Sequence, residues 1–163
     1  MDNIAGDAEM STLRVGIFVA TMTGLAEVCA EEVQAALGTR GFDATIALMD
    51  VAGISDIEGA DMIVVVSSTY GHGDVPDNGQ AFFQEVEALP DLSRKQFAVF
   101  GLGDRTYSDT FCHAGEKWDA LLAAKGATRL IPLKRHDASS GTLAEDVAGE
   151  WAVGWAHLLR NAA

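Results

Sequence analysis

Five apolar runs, spaced along the chain and separated by turns and amphipathic stretches, constrain the fold more than any other feature. They are LRVGIFVA (13–20), FDATIALMD (42–50), DMIVVVS (61–67), QFAVFGLG (96–103) and TRLIPLK (128–134). A strand that is apolar at consecutive positions is buried on both faces. Parallel sheets covered by helices on each side provide that environment. The intervening segments fit such a cover. GLAEVCAEEVQAALG (24–38) places Leu25, Val28, Cys29, Val33, Ala36 and Leu37 on one helical face. VAGISDIEG (51–59) is too short for a full crossover helix and is expected to form a loop or a single turn. Asp77 and Gln80 have capping-box spacing ahead of GQAFFQEVEALP, and Thr142 and Glu145 have it ahead of a final helix through Arg160. TFCHAGEKWDALLAAKG (110–126) reads as a helix ended by Gly126. Right-handed crossovers then predict a three-layer α/β sandwich, a five-stranded parallel sheet with helices on both faces. The fifth strand is read as uninterrupted.

Residues 13–163 are expected to form one domain, preceded by an acidic, frayed tail at 1–12 that has no apolar core of a signal peptide. No apolar run reaches membrane-spanning length, and no repeat, linker or low-complexity segment interrupts the pattern. Cys29 and Cys112 lack metal-ligand spacing, so the simplest expectation is a reduced, cytoplasmic protein with no bound metal. The formal net charge of −13 argues against nucleic acid and anionic membranes as partners. From Gly41 to Ser93 the chain has ten Asp or Glu and no Lys or Arg. That stretch is either a solvated acidic surface or a rim that docks a basic partner.

In parallel α/β sheets, ligands bind beyond the carboxyl ends of the strands, which directs attention to three loops. After the first strand, TMTGLAE offers the Thr21 and Thr23 hydroxyls, a glycine for close approach, and the start of a helix. The segment reads equally as an ordinary turn with a threonine cap or as a phosphate site without basic side chains. Neither G-x-G-x-x-G nor G-K-[ST] is present. SSTYGHGDVPDNG follows the third strand and GLGDRTYSDTFC the fourth. The only two tyrosines of the chain, Tyr70 and Tyr107, fall in these two loops. A phosphate cradle beside two aromatics at the same sheet end fits a ligand that is planar at one end and a phosphate monoester at the other. FMN has that form.

With TMTGLAE, SSTYGHGDVPDNG, FGLGDRTYSDTFC and GATRLIPLKRHD, the chain resembles the short-chain flavodoxins from about Arg14 to Leu159. It is most similar to the MioC-type members and to the FMN domains of diflavin reductases and of the sulfite reductase flavoprotein. The resemblance implies a flavodoxin-like fold with FMN as cofactor. Thr21, Met22, Thr23, Gly24, Leu25 and Ala26 would surround the phosphate. Ser68, Thr69, Tyr70, Gly71, His72 and Gly73 would lie on one side of the ring. Leu102, Gly103, Asp104, Tyr107, Phe111 and Cys112 would lie on the other, with Tyr107 stacked on it. Asp137 resembles an acid near the flavin edge in the diflavin group. Three positions depart from the pattern. Leu25 stands where a threonine is common, YSDTFC is one residue longer than usual, and His72 replaces Glu or Ala.

The resemblance further implies a monomeric one-electron carrier, not an enzyme in its own right. It would shuttle electrons from a flavodoxin reductase to an acceptor enzyme, both basic-surfaced. The Gly71–His72 peptide is placed to bond the flavin N5–H, and the acidic rim to lower the potential. An NAD(P)H-dependent quinone reductase and a flavodoxin-like binding protein without FMN are the alternatives. The chain lacks an insertion for a nicotinamide pocket, and it keeps both tyrosines and the threonine loop. A phosphoacceptor signalling module is disfavoured because Thr21 and Ser67 or Ser68 replace the acids it needs. His113, His136 and His157 are read as packing, surface or loop residues, and Trp118, Trp151 and Trp155 as core-facing or half buried.

Overall fold

In the computed structural model, residues 13–21, 23–70 and 72–159 are described. Met22, Gly71, Arg160 and the expected tail at 1–12 lie outside them. Strand β1 (Val15–Ala20) sits between β2 (Ala44–Leu48) and β3 (Met62–Ser67), and β4 (Gln96–Gly103) pairs with β3. Every ladder is parallel. β3 is buried at all its positions, as a strand covered on both faces requires.

Alternating side chains divide the core. Ile17, Val19, Val64, Val66, Phe100 and Leu102 meet α1 (Leu25–Gly38) and the last helix, α5 (Ala144–Ala156). Phe18, Ala20, Ile63, Val65, Phe97 and Val99 meet α2 (Ile54–Gly59), α3 (Asp77–Glu87) and α4 (His113–Ala124). The expected three-layer sandwich is therefore present. Trp118 and Trp155 are fully buried and Trp151 nearly so, in keeping with their core-facing reading.

Several local expectations are corrected. The fifth strand is interrupted: β5 (Thr128–Arg129) pairs with Gln96 and Phe97, and β6 (Lys134–Asp137) with Phe100 to Gly103. Pro132 falls in the gap, where it has no N–H to give the ladder. Both pieces occupy the same flank of β4, so the sheet has five strand positions and six strands. The segment at 51–59 forms a short helix of six residues.

Neither capping box forms. Pro76 occupies the N-cap of α3, leaving Asp77 inside the helix, and Gln80 Nε2 donates to Val75 O at 3.2 Å. Leu143 caps α5 without a side-chain bond, while the Thr142 hydroxyl pairs with Ser140 Oγ at 2.8 Å. α4 starts only at His113, because Cys112 turns to φ 57° just before it. It ends as anticipated, with Gly126 at φ 93° after the C-cap Lys125. On α1, Leu25 and Val28 are exposed, and Ala26, Cys29, Ala30, Val33 and Leu37 form the buried face. His136 belongs to strand β6 and not to a loop. It is buried and stacks on Phe100 at 6.2 Å between ring centres.

Candidate functional site

The carboxyl ends of β1, β3 and β4 open onto a cavity of about 420 Å³. Thr23 and Leu25 line it from the first loop, Ser68 and Thr69 from the second, and Leu102, Gly103, Asp104, Tyr107 and Thr110 from the third. Ala138, after β6, completes it. Among the described residues, no lysine or arginine is in the lining.

The first loop leaves α1 open to an anion. Gly24 is its N-cap at φ 93°, and no side chain caps the helix. Thr21 Oγ1 accepts from Gly24 N at 2.9 Å, so this hydroxyl closes the turn and does not cap the helix. Thr21 N in turn donates to Asn78 Oδ1 at 3.0 Å, fastening the loop to α3. Around Gly24, a Cβ would have no atom within 4 Å. An uncapped helix start with open space at its glycine suits a phosphate. Ala26 is buried beneath it.

The second loop closes on itself. Tyr70 N donates to Asp74 O at 2.9 Å, and Asp74 N returns the bond to Tyr70 O at 2.7 Å. Gly73 sits at φ 98° against His113, where a Cβ would lie 2.9 Å from Nδ1. Thr69 Oγ1 accepts from Ala114 N at 3.3 Å, and Lys117 Nζ lies 3.6 Å from Asp74. Tyr70 and His72 are exposed and do not line the cavity.

The third loop is a 3₁₀ turn, Arg105–Thr110, kinked at Tyr107. Asp104 Oδ1 accepts from Thr106 N at 2.8 Å. Tyr107 is 68% exposed and hangs over the cavity, so a ring laid there would remove its face from water. Phe111 is buried beneath the Arg105 guanidinium, 4.3 Å from the ring centre. Cys112 faces inward, with Sγ 3.4 Å from Gly101 O. Burial pushes its thiol up to about 12, which makes it a packing group.

Asp137 lies behind the lining. Its Oδ1 accepts from Arg105 N at 3.0 Å and Ser139 N at 2.9 Å, and these bonds hold the carboxyl below the usual range.

Of the residues expected from sequence, Thr23, Leu25, Ser68, Thr69, Leu102, Gly103, Asp104 and Tyr107 share the cavity. Thr21, Gly24, Ala26, Tyr70, His72, Gly73, Phe111, Cys112 and Asp137 stand around or behind it. Thr110 lies within the loop flagged from sequence. Ala138 has no functional group, and only its place after the fifth strand could have pointed to it. Among the described residues, the lining offers no paired general acid and base. Among the described residues, no cluster of three or more His, Cys, Asp or Glu could hold a metal ion. No helix among them is long and apolar enough to cross a membrane.

Hydroxyls and an uncapped helix at one end, and an apolar wall with an exposed tyrosine at the other, suit a protein of the class that binds a phosphorylated flat cofactor. Comparison with known proteins agrees. The flavodoxin family model matches residues 17–151, and the chain belongs to that family. It is 36% identical over 140 residues to the MioC homolog of Haemophilus influenzae, covering 85% of this chain and 94% of that protein. It is 37% identical over 144 residues to human inducible nitric oxide synthase, covering 88% of this chain but only 12% of the enzyme. A cysteine-to-alanine mutant of flavodoxin from Pseudomonas aeruginosa superposes with a TM-score of 0.83 at 31% identity, covering 90% of this chain and 99% of that one. The chain is an FMN-binding electron carrier.

Proposed function

We propose that FMN lies in the cavity between the Thr23 loop and Tyr107, and that the chain serves separate redox enzymes without converting a substrate of its own. FMN, when bound, supplies the ability to take and give electrons singly. The chain supplies the rest. Thr21 to Ala26 would hold the phosphate through hydroxyl and backbone donors. Ser68 and Thr69 would line one side of the ring, and Leu102, Gly103, Asp104 and Tyr107 the other, with Tyr70, His72, Gly73, Phe111 and Cys112 around or behind them. Tyr107 and Leu102 exclude water. Asp104 and the surrounding acids, with no basic side chain in the lining to offset them, disfavour added negative charge and so lower the potential. The observation that carries this reading is the convergence of three strand-end loops on one cavity.

Its partners would be a flavodoxin reductase and an acceptor enzyme with basic surfaces, met by a monomer in the cytoplasm. Ten acids and no Lys or Arg between Gly41 and Ser93 support that charge choice. The test compares ligands. Thr23→Ala should weaken FMN more than riboflavin, because only FMN has the phosphate; equal loss would remove the phosphate from this loop. Reduction of the loaded protein by NAD(P)H alone would instead favour a quinone reductase. Electron-transfer rates with a basic reductase should fall steeply as salt rises to ~0.1 M, where screening sets in at about 10 Å.

A further inference from the structure

The turn that carries Tyr107 has little core of its own. Arg105 to Asp109 are exposed, and none of the residues from Arg105 to Thr110 is buried. Its position is nevertheless fixed, because three successive amides each meet an oxygen. Arg105 N donates to Asp137 Oδ1 at 3.0 Å and Thr106 N to Asp104 Oδ1 at 2.8 Å. Tyr107 N donates to Asp104 O at 2.9 Å. Two of these acceptors belong to Asp104, at the start of the turn itself. The third comes from another strand. Asp137 ends β6 and pairs in register with Gly103, so its carboxylate projects from a fixed ladder position.

The same Oδ1 also accepts from Ser139 N at 2.9 Å and Ser139 Oγ at 2.8 Å. One oxygen thus joins two turns, Arg105–Thr110 with Tyr107 and Ala138–Ser140 with Ala138. Both Tyr107 and Ala138 line the cavity, and Asp137 does not. Its remaining oxygen, Oδ2, faces Arg105 Nε at 3.7 Å. The Arg105 guanidinium is held in turn over Phe111.

We propose that Asp137 is a positioning residue: its carboxylate clasps the Tyr107 turn to the Ala138 turn and so sets one wall of the FMN cavity, without touching the cofactor. This rests on the placement of FMN against Tyr107 argued above. The clasp acts through backbone amides, so the identity of the Arg105 side chain matters less than the acceptor it meets.

Four variants test it: Asp137→Ala, Asp137→Asn, Arg105→Ala and Tyr107→Ala. In the FMN-free protein, amide hydrogen exchange at Arg105 and Ser139 should be slow, and should speed up together in Asp137→Ala. FMN binding, read by quenching of flavin fluorescence, should weaken about tenfold in Asp137→Ala, the scale of a lost charge-assisted bond. The visible band of the bound flavin should move toward that of free FMN. Asp137→Asn keeps one accepting oxygen and should recover part of both effects; it also carries the test if the alanine variant does not fold. Arg105→Ala keeps its amide and should cost less than Asp137→Ala. Wild-type FMN binding in Asp137→Ala, with Tyr107→Ala impaired, overturns the clasp alone. An Arg105→Ala loss as large as that of Asp137→Ala also overturns it, by assigning the role to the ion pair. Unchanged binding in Tyr107→Ala overturns the placement of FMN and the clasp with it.

Discussion

The two tyrosine loops flank the same sheet end but are held by different means. The Tyr70 loop is closed by main chain: a reciprocal pair of bonds joins Tyr70 and Asp74, and Gly73 N adds a third to Tyr70 O at 3.0 Å. The Tyr107 loop depends on side chains, chiefly the carboxylates of Asp104 and Asp137. Backbone bonds survive most substitutions, whereas side-chain acceptors are lost with a single change. Sensitivity to mutation should therefore concentrate on the Tyr107 side, except where a glycine is needed.

The glycines give the largest effects and the sharpest contrast. A Cβ on Gly103 would lie 2.6 Å from Cys112 N, which is backbone and cannot swing aside. Gly103→Ala should cost about 2–3 kcal/mol in urea denaturation, the upper part of the range for overpacking. Gly73→Ala meets only the His113 side chain, but its φ of 98° is strained for alanine. About 1–2 kcal/mol is expected there, with little recovery in a Gly73→Ala/His113→Ala double variant. Full recovery in that double variant would mean that contact, not backbone conformation, requires the glycine.

The tyrosines themselves come next. Tyr107→Ala should weaken FMN by about 1–3 kcal/mol, the range for a large stacked aromatic. Tyr70→Ala should cost less, since Tyr107 lines the cavity and Tyr70 does not. Equal losses in a fluorescence titration would show that the loops contribute alike to the ring site. Thr69→Val, which removes the acceptor for Ala114 N, should lower stability by about 0.5–1 kcal/mol. A neutral result in thermal melts would mean that water replaces the hydroxyl.

The smallest effect is a pH dependence beneath the Tyr107 side. Burial lowers the pKa of His136, opposed by Asp137, with Lys134 lowering and Glu145 raising it more weakly. The folded protein therefore keeps this ring neutral where the unfolded chain takes up a proton, near pH ~6.5. Stability from this group is present above that pH and falls as the pH drops toward the folded value. Melting temperatures should decline as the pH falls below about 6.5, and less so in His136→Phe. Parallel curves would remove His136 from the account.

The runs of β1, β3 and β4 were legible because burial on both faces leaves an unbroken apolar record, and QFAVFGLG coincides with β4 from end to end, whereas TRLIPLK is broken at Pro132. The cavity loops were legible from their position beyond those strands. What failed was local and depended on distant partners. Asp77 and Gln80 have the spacing of a capping box, but Pro76 takes the cap and Gln80 turns back to Val75. Leu25 and Val28 fit an apolar stripe by period, yet α1 begins at the cavity, and Leu25 forms part of its wall. The resemblance marked Asp137 as an acid near the flavin edge, but its bond from the Arg105 main chain was invisible, because Arg105 lies 32 residues away.

The break at Pro132 has a consequence for the molecule among its own copies. An exposed strand edge with free N–H and C=O groups invites another chain to add to it. Here that flank has a two-residue segment, a gap at proline, and then the exposed cations Lys134 and Arg135 at the start of β6. A visiting strand would find no continuous row of donors and would have to accommodate two positive charges. The irregularity that spoils a simple fifth strand thus makes this edge a poor template for strand addition.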